Sequence, residues 1–144
     1  MIDQKNKVLC IIPARSGSKT IKNKNIYKIN GSELISYSIK FSKKLKFLNK
    51  VIFSSDSEKY LRIAKKYGIK YLHKRSSNLS RDDSLTFDLV KEILKEEYEM
   101  KNFYQFILLL QPTSPFRQKK IFEEAFKILK KNHYDTVITI KKIK

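Results

Sequence analysis

The chain has 144 residues, 32 Lys and Arg against 14 Asp and Glu, a net charge of +18 and one cysteine. Such a length suits one domain burying roughly two thirds of its unfolded surface, and a lone cysteine excludes a disulfide framework. No apolar stretch nears the ~18 residues of a membrane span and the start lacks a signal-peptide pattern, so the expectation is one cytoplasmic domain over residues 1–144.

Short apolar runs alternate with stretches of helical spacing. Val8 to Ile12 reads as the first strand, with Cys10 a buried reduced thiol. Leu34, Tyr37 and Phe41 beside Ile35 and Ile39 give the first helical stripe, followed by a strand at Val51 to Phe53. Leu61, Ala64 and Tyr67 mark a second helix, with Gly68 placed to end it, and Ile69 to Leu72 a third strand. Phe87, Val90 and Leu94 mark a third helix, Phe106 to Leu110 a fourth strand, Phe122, Phe126 and Leu129 a fourth helix, and Thr136 to Ile140 a fifth strand. The strands lack clean alternation, as expected for parallel strands buried on both faces. The fold class is therefore α/β, a Rossmann-like doubly wound, mostly parallel sheet with right-handed crossovers.

In such sheets ligands bind beyond the carboxyl ends of the strands. Four polar segments follow the first four strands: residues 14 to 25, "SSDS" (54 to 57), "HKRSSNLSRDDS" (73 to 84) and "QPTSPFR" (111 to 117). In the first, Gly17 permits an unusual backbone turn, Ser16 and Ser18 add donors, and Arg15, Lys19, Lys22 and Lys24 supply charge, a combination suited to polyphosphate. It matches neither G-x-x-x-x-G-K-[ST] nor G-x-G-x-x-G, which disfavours Walker-type chemistry. Asp56 reads first as a helix N-cap, as do Asp82, Asp83 and Ser84 before the third helix. Two prolines stiffen the fourth segment and hold Gln111, Thr113 and Ser114, and Gln111 offers a donor and an acceptor to a polyhydroxylated ligand. His73 and His133 lack a Cys or His partner at metal spacing, so no zinc site is expected from them.

"IIPARSGSK" with "KNKN", then "SSDSE", "LSRDDS" and "LLQPTSPFR", in that order, resemble the acylneuraminate cytidylyltransferases, the CMP-sialic acid synthetases, from about Val8 to Ile140. The resemblance implies a transfer from CTP to a nonulosonic acid, giving the CMP-sugar and pyrophosphate, with Mg2+ as cofactor and a homodimer as the complete enzyme. It implies triphosphate contacts for Arg15 and Lys24, a CTP contact for Asn25, and nucleotide-side roles for Ser16, Gly17, Ser18, Lys19, Arg75 and Ser80. It implies that Gln111 meets the sugar, with Thr113, Ser114 and Arg117 shaping that pocket.

Thr20 stands where the family has Gly and Ser76 where it has Pro, so both loops are expected to sit differently. The family's magnesium-holding aspartates and the segment completing its sugar pocket lie further along, so the resemblance implies an amino-terminal portion with no metal ligands of its own. The KDO cytidylyltransferases are a less similar neighbour. Two other readings stand beside the enzyme: a catalytically incomplete nucleotide-binding fragment or subunit, and a basic nucleic-acid-binding module. The second is weakened because the tyrosines and phenylalanines fall mostly in strands and core stripes and no recognised nucleic-acid-binding pattern appears.

Overall fold

The computed structural model describes residues 6–18, 20–76, 86–132 and 134–140. Four parallel strands form the sheet: β1 (Val8–Pro13), β4 (Lys50–Ser55), β5 (Tyr71–Lys74) and β6 (Phe106–Leu109), in the order β5-β4-β1-β6. The chain thus builds outward from β1 in one direction and then crosses to its other side for β6. The strand order reverses between β1 and β6, which creates a crevice at their carboxyl ends.

Strand β1 shows why the sheet is covered on both faces. Cys10, Ile12 and Ala14 point to one side with Phe53, into a core completed by Ile35, Ile39 and Phe41 of α1 (Leu34–Ser42) and Tyr60, Leu61 and Ala64 of α2 (Glu58–Lys66). Leu9 and Ile11 point the other way with Ile52, against Leu89 and Ile93 of α3 (Thr86–Glu99). Each buried side chain of this size contributes roughly 1.5–3 kcal/mol. The fourth helix, α4 (Lys119–Asn132), joins the first face through Phe122, whose ring meets Phe41 edge-on at 4.9 Å between centroids. Burial of Cys10 pushes its thiol well above the ordinary range, which makes it an inert core residue. No helix among the described residues is long and apolar enough to cross a membrane.

Two expectations are corrected and one element is added. The third strand spans Tyr71–Lys74 rather than starting at Ile69, because Gly68 (φ 82°) closes α2 in a Schellman turn. In that turn the Gly68 N–H donates to Lys65 O and the Ile69 N–H to Ala64 O, and Ile69 drops into the core. A hairpin that apolar periodicity did not show joins β2 (Lys28–Ile29) to β3 (Ser32–Glu33). Its turn is Asn30-Gly31, both at positive φ, the standard two-residue hairpin connection. Finally, Thr136 to Ile140 forms no strand, and Ile138 and Ile140 are 76% and 87% exposed. A β-prone sequence without a ladder partner has nothing to hold it extended.

Candidate functional site

At the carboxyl edge the strands continue to pair for one residue past their tips. The Ala14 N–H donates to Ser54 O, the Arg75 N–H to Ser55 O and the Leu110 N–H to Ile11 O. Three of the four polar segments thereby leave the sheet side by side.

The first loop is held from within and from the neighbouring strand. Asn23 adopts a left-handed φ of 56°, which asparagine tolerates, and a short 3-10 turn follows at Lys24–Ile26. Asn25 is buried, and its Nδ2 donates to Arg15 O at 2.9 Å, tying the end of the loop to its beginning. Asp56 accepts from both the Ser16 backbone N–H (2.8 Å) and the Ser16 Oγ (2.7 Å). This overturns the capping role expected for Asp56: Ser57 caps α2 by accepting from the Tyr60 N–H, while Asp56 clamps the loop. Nor is Gly17 there for its backbone freedom. Its φ lies outside the positive region and a Cβ would meet nothing within 4 Å, so its missing side chain leaves cavity space open.

Between this loop and the β6 turn lies a cavity of about 350 Å³ lined by Arg15, Gly17, Ser18, Lys24, Asn25, Arg75, Gln111 and Thr113, with Pro13, Thr86, Leu89 and Pro112 completing the wall. Among the described residues, none that lines it is a carboxylate. Burial pushes the Arg75 guanidinium below its ordinary value; Asp56 and Glu92 oppose that shift, and Arg15 adds to it. An anion in the cavity would favour the charged form of Arg75 against that burial. The Asn25 Oδ1 is buried with no hydrogen-bond partner, an acceptor on the same wall.

Most residues singled out in the sequence meet at this cavity, but some do not. Ser16 is turned to Asp56. Arg117 points away: its guanidinium donates to Ser38 Oγ at 3.1 Å and to Gln111 O, and it lies over the Phe41 ring. It therefore staples the "QPTSPFR" turn to α1, and burial lowers its pKa as well. With Ser114 it borders a separate apolar groove of about 430 Å³ between β6 and α4. Ser114 also closes the turn itself, its N–H donating to Gln111 O. Lys19, Ser80, Asp82, Asp83, Ser84 and His133 lie outside the described residues. Sequence reasoning missed Thr86 and Leu89, which reach the cavity because the start of α3 passes in front of β1; no local motif marks them. It also missed the loop-clamping role of Asp56, although "SSDSE" drew attention to that position.

The fold is α/β, with a cavity at the switch point of a parallel sheet that is lined by three cationic side chains and hydroxyl donors and, among the described residues, by no acid. The sequence profile of the Cytidylyltransferase family matches residues 9–144, and the chain belongs to that family. It is 36% identical over 137 residues to the N-acylneuraminate cytidylyltransferase of Escherichia coli O18:K1:H7, covering 94% of this chain and 32% of that one. It is 38% identical over 120 residues to a pseudaminic acid cytidylyltransferase of Campylobacter jejuni, covering 83% of this chain and 52% of that one. The fold is that of the solved CMP:2-keto-3-deoxy-manno-octonic acid synthetase complexed with CTP, at a TM-score of 0.72 and 18% identity, covering 89% of this chain and 49% of that one. The chain thus spans about half, or less, of the length of these relatives.

Proposed function

We propose that this chain carries the nucleotide-binding part of an enzyme that joins CTP to a nonulosonic acid, releasing pyrophosphate and forming the CMP-sugar. One observation carries the reading: Arg15, Lys24 and Arg75 converge on a cavity at the β1/β6 crevice whose described lining holds no carboxylate. The names of the two relatives above, an N-acylneuraminate and a pseudaminic acid cytidylyltransferase, support the choice of nucleotide and acceptor class.

In this reading a sugar hydroxyl attacks the α-phosphorus of CTP in line as pyrophosphate leaves. The contribution of the protein is positioning and charge stabilisation. Arg15 and Lys24 neutralise the departing pyrophosphate, with Ser18 and the open backbone at Gly17 beside them, and Lys19 is assigned to the same nucleotide contacts. Arg75, Ser80 and the unsatisfied Asn25 Oδ1 belong to the nucleotide side. Gln111 and Thr113 face the sugar from the opposite wall, on a turn that Ser114 and Arg117 keep rigid. Magnesium does not fit the described wall: no lining side chain is a carboxylate, and Asp56 uses both oxygens on Ser16.

That misfit, together with the span of about half, favours a second form of the same reading: a nucleotide-binding unit whose turnover needs further elements, in a homodimer or from another chain. Calorimetric titration with CTP, with ATP as control, tests the common core. Selective CTP binding that Arg15→Ala and Lys24→Ala each weaken roughly 10- to 100-fold supports it; equal, salt-sensitive binding of both nucleotides sinks it. Pyrophosphate release in the presence of a nonulosonic acid then separates the two forms.

A further inference from the structure

Behind the cavity wall, outside the nucleotide site, His73 of β5 meets Glu92 and Glu96 of α3. Its Nε2 lies 3.1 Å from Glu92 Oε1 and 3.5 Å from Glu96 Oε1, and one ligand atom from each of the three residues falls within 4.8 Å of the others. Spacing of Cys and His along the sequence could not show this group, because its acids come from a helix packed across the strand. The ring of His73 is only 6% exposed. Its Nδ1 is 2.9 Å from the fully buried Ser54 Oγ, while Nε2, with the carboxylates close but off its N–H direction, completes no hydrogen bond.

From these residues we propose a site for a zinc-class divalent transition ion, with His73 Nε2, Glu92 and Glu96 as ligands. A tetrahedral ion with bonds of 2.0–2.2 Å to nitrogen and oxygen places neighbouring donors about 3.4 Å apart, and the two nitrogen–oxygen distances bracket that value. The donor set is that of an open site, with three protein ligands and a free position on the solvent side, where Glu96 is 54% exposed. Imidazole selects zinc, cobalt or nickel over magnesium, which prefers an all-oxygen octahedron. Supporting contacts are in place. With its proton on Nδ1, His73 donates to Ser54 Oγ and leaves the Nε2 lone pair free for an ion flanked by the two acids, and Ser76 Oγ donates to Glu92 Oε2 at 2.9 Å. The acids also conflict without a cation between them: like charges one turn apart destabilise a helix. A bound ion would tie α3 to β5, two residues before Arg75, and so brace the cavity wall.

The test is titration of chelator-treated chain with Co2+ alone, read by visible absorption, with metal stoichiometry after gel filtration in Zn2+. One ion per chain is expected, unaffected by excess Mg2+. His73→Gln should weaken it at least about 100-fold, Glu96→Gln about 10-fold or more, and Ser54→Ala about 10-fold. Glu96 is exposed, so Glu96→Gln reports on the site even if a change at His73 unfolds the chain. His133→Gln should leave binding intact. Absence of stoichiometric Co2+ binding, or binding that persists in both His73→Gln and Glu96→Gln, overturns the proposal and leaves a histidine–carboxylate ion pair.

Discussion

The two ends of this sheet treat charge in opposite ways. At the amino edge, Glu97 is buried to 2% exposure and fully answered: Lys50 Nζ lies 2.7 Å from one oxygen and 2.9 Å from the other, and Asn102 Nδ2 and Tyr104 OH each donate at 3.0 Å. Burial and the Glu97 carboxylate together push the Tyr104 hydroxyl well above its ordinary range. At the carboxyl edge, Arg15, Lys24 and Arg75 gather round a cavity with no acid among its described lining residues. One end uses charge to close the structure; at the other, in the proposed reading, charge serves to receive an anion. At the first end the fold answers the buried charge in full, and at the second Asp56 and Glu92 offset the burial of Arg75 only in part.

Breaking the closed end should have the largest effect on stability. Glu97→Ala leaves Lys50 without its acid and should cost about 3–5 kcal/mol in urea unfolding, with Glu97→Gln milder because it keeps part of the network. The open end should respond in reverse. Arg15→Ala or Lys24→Ala should lower CTP affinity roughly 10- to 100-fold by calorimetry and leave the unfolding midpoint nearly unchanged, since each removes one charged hydrogen-bond donor from the ligand.

Asp56 joins the two behaviours, being an acid that serves the open end by fixing its loop. Asp56→Ala orphans two donors of Ser16 and should cost about 1–3 kcal/mol, and it should also weaken CTP binding, because a loosened loop must be ordered by the ligand. An unchanged CTP affinity would show that the loop is held without the clamp.

The smallest expected effect lies on the flank, where the Tyr67 hydroxyl donates to Glu33 at 2.6 Å and so holds that carboxyl below its ordinary range. A lowered folded pKa contributes stability that is present above the unfolded carboxyl value and lost as pH falls through the folded one. Because Glu33 is largely solvated, Tyr67→Phe should remove less than about 0.5 kcal/mol near neutral pH and flatten the acid side of the stability profile.

Much of this was legible in order along the chain. Apolar runs and helical stripes set all four sheet strands to within two residues at their starts and all four helices, because burial on both faces of a parallel sheet leaves a local pattern. The β2/β3 turn carried its own signal in Asn30-Gly31, which apolar periodicity passes over in strands of two residues. The extended reading of Thr136 to Ile140 failed because β propensity is a preference for a partner, and among the described residues that segment has none.

What the sequence determined by itself, then, is the alternation of elements and the basic, small-residue loop after β1, both written in residues close along the chain. Only the tertiary structure decided that Asp56 grips Ser16 from 40 positions away, that Arg117 staples the turn to Ser38 rather than facing the cavity, and that Glu92 and Glu96 meet His73. The reason is geometric: a crossover lays residues from different elements side by side, and local periodicity fixes which face a side chain takes but not which partner it finds there.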